Sequence, residues 1–178
     1  FKDITVNVNI VAVDDAPVIT QGDSVNVSMS EDGVPTQFAL TLNARDKEGD
    51  TINWDILTQA NSGSATVSGV GTNKLISYTP NANFSGADSF VVRTTANALT
   101  DSITVNVTVQ AVNDIPVITQ GASITINISE DNSPNAFALT LNASDADNTT
   151  LTWSISAAAT SGSAALSAIR TGNSQAIS

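Results

Sequence analysis

The sequence contains no cysteine and no histidine among its 178 residues. Without cysteine there are neither disulfide bonds nor thiolate metal sites, and without histidine the commonest general base and transition-metal ligand are missing. Aromatic residues make up only 4% of the chain, and no apolar run approaches the roughly 20 residues that a membrane-spanning helix requires. These absences argue against an enzyme with an aromatic-lined cleft and against insertion into a membrane.

Basic residues are also few, since six Lys and Arg stand against seventeen Asp and Glu, which gives a net charge of −11. Nucleic acids and anionic membrane surfaces are bound through basic patches, so this charge argues against both as partners. The excess of carboxylates suits divalent cations and keeps an extended molecule soluble. The absence of cysteine is compatible with a secreted bacterial protein that is not stabilised by disulfide bonds. We therefore expect an extracellular location.

What the chain has instead is a repeat with a spacing of 99 residues: residues 17–22 recur letter for letter as 116–121, and residues 38–44 as 137–143. A period this long corresponds to one small domain per repeat and not to one turn of a solenoid. We predict three segments on this basis. Residues 1–13 are the last strand of a preceding repeat, residues 14–112 are a complete repeat, and residues 113–178 are the N-terminal part of a second one.

Apolar and polar residues alternate with a period of two, which indicates antiparallel strands with one buried face. The alternating segments are 4–10, 25–28, 38–42, 52–56, 103–109 and 124–128. Seven or so short strands in about 100 residues are typical of a two-sheet sandwich. We therefore predict an all-β chain of tandem Greek-key β-sandwiches, the second one incomplete, in which Trp54 and Trp153 are core anchors.

The incomplete second repeat leaves two explanations open. The sequence is a slice of a longer array, or residues 1–13 of one copy complete the second repeat of the next by strand exchange. The second explanation makes another copy of the chain a partner. It predicts association in solution, whereas the first one makes neighbouring repeats of the same chain the partners.

Acidic residues concentrate at the ends of the predicted repeats. Strand direction brings a Glu from the end of one repeat, the Asn-Asp of the linker and the acidic loop of the next repeat to one junction. For the inner junction this set is Glu31, Asn113, Asp114, Asp145 and Asp147. These ligands are all oxygen, which suits Ca²⁺ with its six to eight oxygen ligands. The alternative is that Asp and Asn only cap turns, where both residues are common.

The same residues resemble a known family. Glu31 followed by Ala44-Arg45-Asp46-Lys47-Glu48, and the linker Asn113-Asp114-Ile115-Pro116, look like cadherin extracellular repeats. Residues 78–90 resemble the closing motif of bacterial cadherin-like repeats, which occur in tandem in giant surface proteins and adhesins. The resemblance covers essentially the whole chain. It implies Ca²⁺ at the junctions between domains and a rod that this ion stiffens.

Motif matching implies a second ligand set at the outer junction, formed by Asp14, Asp15, Asp46 and Glu48. Asp88 is a candidate substitute for an acidic motif of animal cadherins that this sequence lacks. Ala12 and Ala111 also stand where the cadherin linker has an Asp, and Glu48 is a longer carboxylate than expected. Fewer ligands imply fewer ions per junction, or weaker ones, than in animal cadherins.

Together these features predict a non-catalytic stalk or spacer of an extracellular bacterial adhesin, rigidified by Ca²⁺ between repeats. Two alternatives belong to other classes. The strand faces could bind carbohydrate, ice or a partner adhesin, or the chain could be a filament subunit that assembles by β-strand complementation, through homophilic or strand-exchange contacts.

Overall fold

The computed structural model describes residues 1–131, 133, 135–148, 150–166 and 171–178. The described residues contain eleven strands and no helix, so the all-β prediction is confirmed. The chain divides into two compact units, 1–112 and 113–178. In the first unit the strands are β1 (Val18–Ile19), β2 (Ser24–Ser30), β3 (Leu40–Arg45), β4 (Asn53–Thr58), β5 (Gly63–Thr66), β6 (Asn73–Pro80), β7 (Gly86–Ala96) and β8 (Leu99–Gln110).

These eight strands form two four-stranded sheets, in the orders β1-β3-β6-β5 and β2-β8-β7-β4. The chain changes sheet at every connection except those from β5 to β6 and from β7 to β8, which gives a sandwich of two layers. Alternating residues of both sheets fill the space between them. Leu42, Ile76, Phe90, Val92 and Val105 are at most 1% exposed, because apolar side chains of a half-buried strand all point to one face.

The first strand of the sandwich is split between the two sheets. β1 pairs antiparallel with β3, whereas β2 pairs with β8, and this second pairing is parallel. Gly22 lies between them with a φ of 84°, a conformation that L-residues rarely adopt. Gln21 holds the corner, since its side chain donates to Thr41 O and accepts from Asn43 N. The prediction that neighbouring strands are antiparallel was therefore wrong for β2 and β8.

Three aromatic rings lie together inside the sandwich. The Tyr78 ring stacks on Phe90 with centroids 5.8 Å apart, and Phe38 is tilted against Tyr78 at 5.7 Å. Trp54 is 3% exposed and donates its indole N–H to Gly71 O at 2.7 Å. A buried indole needs such an acceptor. Trp54 is thus a core anchor, as predicted.

The second unit contains β9 (Val117–Ile118), β10 (Leu139–Ser144) and β11 (Ser174–Ile177), in one sheet of order β11-β10-β9. These strands repeat β1, β3 and β6. Leu139 pairs with Ile177 as Leu40 pairs with Ile76, so this unit is two residues longer between the paired strands. The predicted strand at 124–128 is absent, and so is any strand in residues 1–13.

Candidate metal centre

The acidic loop of the first unit follows β3. Asp46 Oδ1 accepts backbone hydrogen bonds from Glu48 N at 3.1 Å and from Asp50 N at 3.0 Å. The loop forms this way because a short Asp side chain readily bonds the backbone amides that follow it. The other oxygen, Asp46 Oδ2, is buried and accepts no hydrogen bond in the part of the chain that the structure describes. A buried carboxylate oxygen without a donor is a candidate cation ligand.

The linker before β1 is attached to this loop. Asp15 N donates to Glu48 Oε2 at 3.1 Å, and Asp15 Oδ2 lies 2.6 Å from Lys47 Nζ. The hydrogen bond to Asp15, and then its charge, raise the pKa of Lys47, and the charge of Glu48 adds to this. Lys47 thus supplies an internal cation to the carboxylates of the loop.

Asp14 lies among other carboxyl groups. Desolvation raises its pKa first, the adjacent Asp50 raises it further by hydrogen bonding and by charge, and Asp46 adds to the shift. A hydrogen bond with Asn97 acts in the opposite direction. Three of the carboxylates at this end of the unit are therefore close enough to repel each other.

The second unit repeats the attachment of linker to loop. Asp114 N donates to Asp147 Oδ2 at 2.5 Å, which is the hydrogen bond of Asp15 and Glu48 displaced by 99 residues. Asp145 Oδ1 accepts from Asp147 N at 3.0 Å, as Asp46 accepts from Glu48. A Glu and an Asp thus make the same contact in the two repeats.

Asn148 ties the second cluster together. Its side-chain amide donates to Asn113 Oδ1 at 3.2 Å and to Asp145 Oδ1 at 3.1 Å. Ala146 stands where the first repeat has Lys47. The second cluster therefore lacks the ammonium group that neutralises Asp15 in the first one.

Glu31 and the Asp46 loop lie at opposite ends of the first unit, as strand direction predicted. Val18 pairs with Arg45, so the Asp46 loop lies where the chain enters the sandwich. Ser30 pairs with Gln110, so Glu31 lies where the chain leaves it. There Glu31 Oε1 accepts a hydrogen bond from Val112 N at 2.7 Å.

Asp88 has a structural role, and its assignment as a candidate ligand needs correction. The side chain is 8% exposed. Its two oxygens accept hydrogen bonds from the Tyr78 hydroxyl and from the amides of Asn61, Ser62 and Ser89, at 2.8 to 3.1 Å. A carboxylate surrounded by four donors has little capacity left for a cation.

The sequence predicted which segments of the chain meet in each cluster, but it missed some of the residues that contribute side chains. Asp50 and Asn97 contact Asp14, and Asn148 joins the second cluster, yet none of them belonged to the predicted sets. For Asp50 the signal was present, since it closes the acidic run that Asp46 opens. Within the described ranges, no three acidic side chains are already gathered into a metal-binding group. The clusters are therefore not preformed cages.

Comparison with known proteins bears on the fold. The family model for the bacterial Ig domain matches residues 14–108, which is 95 of the 178 residues. This chain belongs to the bacterial Ig domain family. Bacterial Ig domains are typically extracellular surface modules, and the described residues include no helix that could cross a bilayer. No curated protein sequence matches this bacterial Ig chain.

Several solved structures are similar to it at low sequence identity. The extracellular cadherin domains 1–4 of protocadherin gamma B7 are 19% identical, with a TM-score of 0.45, 91% of this chain covered and 40% of that one. An endo-fucoidan hydrolase of glycoside hydrolase family 107 is 15% identical, with a TM-score of 0.45 and coverages of 90% and 24%. Domains 5–6 of the S-layer protein SbsC are 14% identical, with a TM-score of 0.33 and coverages of 93% and 83%. The chain thus spans less than half the length of the first two.

Proposed function

We propose that this bacterial Ig chain is a non-catalytic spacer of an extracellular adhesin, in which Ca²⁺ stiffens the connection between successive repeats. One observation carries the proposal. In both units the amide of the linker Asp donates to the second acid of the loop, Asp15 to Glu48 and Asp114 to Asp147. The same linkage at the same repeat position supports a shared purpose for the acidic residues beyond the capping of single turns.

The donor chemistry of both clusters fits Ca²⁺. Their side chains offer carboxylate and amide oxygens only, which are the ligands of a hard cation. The residues that would hold an ion in the first unit are Asp14, Asp15, Asp46 and Glu48, joined by Asp50. Asp46 Oδ2 supports this assignment, because it is a buried oxygen that accepts no hydrogen bond from the described residues.

In the second unit the residues that would hold an ion are Asn113, Asp114, Asp145 and Asp147. In this proposal Glu31 is the carboxylate that one repeat contributes to the linker that follows it. Asp88 is left out, since four hydrogen bonds already satisfy it. Bound Ca²⁺ supplies positive charge that neutralises the mutual repulsion of the carboxylates.

The chain's own residues determine what such an ion does mechanically. The linker is fastened to the loop by one hydrogen bond in each unit, and in the first unit by the Lys47–Asp15 ion pair as well. An exposed ion pair contributes little because solvent screens it, so these contacts alone fix the linker weakly. An ion that takes ligands from both the linker and the loop would restrict the linker much more. An array of repeats restricted in this way would hold its far end away from the cell.

The test is calorimetric titration of the chain with Ca²⁺, together with thermal unfolding and small-angle scattering in EDTA and in millimolar Ca²⁺. Ca²⁺ at 100 times its Kd stabilises the folded state by about 2.7 kcal/mol. We expect heat of binding, a higher midpoint and a longer particle. Asp145→Asn combined with Asp147→Asn should remove the response of the second unit.

Asp131→Asn is the matched control, because Asp131 is an exposed acid of the same unit that lies outside the cluster. It should leave Ca²⁺ binding unchanged. If Ca²⁺ gives no heat of binding and no change in the midpoint of thermal unfolding, the acidic residues only cap turns and the proposal is wrong. Equal losses in the control and in the cluster variant would show that general charge, and not the cluster, attracts the ion.

A further inference from the structure

The sheet of order β1-β3-β6-β5 opens at one end of the first unit. Four residue pairs join β3 to β6, from Leu40 with Ile76 to Asn43 with Asn73. β6 continues to Pro80, and over residues 77–80 it pairs with β5 alone. The side of β6 that faces away from β5 therefore has no strand partner over 77–80 in the described part of the chain.

The loop that precedes β3 explains this opening. Ser30, the last residue of β2, donates its N–H to Thr36 O at 2.8 Å, and its hydroxyl oxygen accepts from Thr36 N at 3.3 Å. Thr36 is therefore held at the end of β2, which belongs to the other sheet. Residues 37–39 have to cross from one sheet to the other before β3 begins, so they do not pair with β6.

A cleft of about 410 Å³ occupies the opening. Its floor is apolar, since Met29 and Tyr78 are at most 5% exposed and the half-buried Phe38 ring lies 5.7 Å from that of Tyr78. Leu75, which also lines the cleft, is 69% exposed. The volume lies at the lower end of the roughly 300–1,000 Å³ that is usual for binding pockets. It suits a single long side chain.

The charge of the cleft is of one sign. Among the described residues that line it, Glu31 and Asp32 are the only charged ones. Lys74 precedes Leu75 in the sequence, but its ammonium nitrogen lies 3.3 Å from where a Cβ atom of Gly69 would be, outside the cleft. An apolar floor is thus combined with two carboxylates and no cation to balance them.

We infer that this cleft binds an arginine side chain carried by an extended segment of a partner protein. The apolar stem of arginine can cover Leu75 and Phe38, while its guanidinium group suits carboxylate oxygens such as those of Glu31 and Asp32. A planar guanidinium also packs on an aromatic ring better than an ammonium group does. The open side of β6 accommodates the main chain of the same segment, as in β-strand addition.

This inference goes beyond the proposed function, because it gives the repeat a partner other than its neighbouring repeats. Asp32 and Leu75 belong to neither set of proposed Ca²⁺ ligands, and the experiments are carried out in EDTA. A cleft that binds nothing would leave the spacer proposal standing. A chain that binds no Ca²⁺ would likewise leave the cleft intact.

The probe is the acetylated and amidated peptide Gly-Thr-Val-Arg-Val-Thr-Gly, titrated into the ¹⁵N-labelled full chain and followed by NMR. We expect saturable shifts of the amide signals of Asp32, Phe38 and Leu75. A peptide with citrulline in place of arginine keeps the shape without the charge, and should bind about fivefold more weakly or worse because the charge-assisted hydrogen bonds are lost. Shifts that do not saturate, shifts spread over all acidic surfaces, or equal binding of the two peptides would each overturn the inference.

Exposed positions provide matched variants that leave the core untouched. Asp32→Asn should weaken binding about threefold, since solvent screens an exposed charge, whereas Asp23→Asn removes an exposed acid outside the cleft and should leave binding unchanged. Leu75→Lys places a cation in the cleft and should abolish binding. Asn73→Lys adds the same charge on the same face of β6, two residues away, and should preserve it. Equal effects within either pair would show that general charge attracts the peptide, and the inference would be wrong.

Discussion

The hydroxyl of Tyr78 donates a hydrogen bond to Asp88 Oδ2 at 2.8 Å. Both side chains are at least 92% buried, and the same carboxylate accepts from the amides of Asn61 and Ser62. One acidic group thus connects β6, the start of β7 and the turn that precedes β5. Burial, and then the bond and charge of Asp88, raise the pKa of Tyr78 well above its ordinary value, so this hydroxyl remains a donor.

Asp88 should make the stability of the first unit depend on pH in the acid range. Burial alone would raise the pKa of its carboxyl, but hydrogen bonds from Tyr78 and three backbone amides outweigh burial and lower it below the ordinary value of 3.8. A lowered folded-state pKa gives stability that is present above pH 3.8 and is lost as the pH falls through the folded-state value. Urea unfolding between pH 2 and pH 7 measures this loss.

Asp88→Asn should flatten that acid dependence, since the amide does not titrate. At pH 7 we expect it to lower the free energy of unfolding by about 1–3 kcal/mol, because one acceptor oxygen becomes an NH2 group that faces two donors, and the remaining bonds go to a neutral acceptor. Tyr78→Phe removes one donor and should shift the acid loss to higher pH. An unchanged slope in Asp88→Asn would contradict the role assigned to this carboxylate.

Gly63 should tolerate no side chain. A Cβ atom built on Gly63 would lie 2.6 Å from three atoms of the Tyr78 side chain, including its hydroxyl oxygen. The ring cannot move away freely, because it is stacked on Phe90 and bonded to Asp88. Gly63→Ala should therefore lower the free energy of unfolding by about 1–3 kcal/mol.

The exposed neighbour provides the control for this substitution. Ser64→Ala changes the same strand, β5, and should shift the free energy of unfolding by less than about 0.5 kcal/mol. Denaturant titration of the two variants at pH 7 makes the comparison. Equal losses of stability in the two variants would mean that any substitution in β5 is destabilising, and that contact with the Tyr78 ring is not the cause.

Lys47 should compete with added Ca²⁺ in the first unit. Its ammonium lies 2.6 Å from Asp15 Oδ2, and the second repeat has Ala146 in its place. Lys47→Ala should change stability little, since the pair is exposed and screened by solvent, and should increase the affinity of the first cluster for Ca²⁺. Calorimetry is the measurement, and Lys74→Ala, which removes an equal charge elsewhere, should leave the affinity unchanged.

The two tryptophans should report separately on the two units. Trp54 is 3% exposed, whereas Trp153 is only half-buried although its indole makes the equivalent bond, to Gly172 O at 2.7 Å. Water around an excited indole shifts its emission to longer wavelength. The Trp153→Phe chain should therefore emit at shorter wavelength than the Trp54→Phe chain. The opposite order would show that Trp54 is less protected than Trp153.

The fold was predictable where a strand has one buried face. Period-two alternation located β2, β3, β4 and β8 because the buried face selects Val, Ile, Leu and Trp. The parallel pairing of β2 with β8 was not predictable, since alternation reports which face is buried and not the direction of a partner. The segment 124–128 alternates as well as β2 does, but alternation alone does not make a strand, because a strand also needs a hydrogen-bonded neighbour.

The candidate site was predictable as far as chain direction determines it. Asp46 follows a strand that runs antiparallel to the first strand of the repeat, so the sequence predicted that Asp46 lies beside the linker. The hydrogen bond from Asp15 N to Glu48 confirms that the linker and the loop are close. Side-chain partners lay beyond this reasoning. Asp88 is a residue type that often binds cations. Only the four groups that donate hydrogen bonds to its carboxylate identify it as an internal acceptor.

The parallel pairing of β2 with β8 also determines how a repeat resists tension. The chain enters near the beginning of β2 and leaves at the end of β8, so opposite pulls on the two ends act along the strands and in opposite directions. All hydrogen bonds of the seven paired residues are then strained at once, whereas antiparallel neighbours pulled from one end would open bond by bond. A repeat built this way shears as a unit.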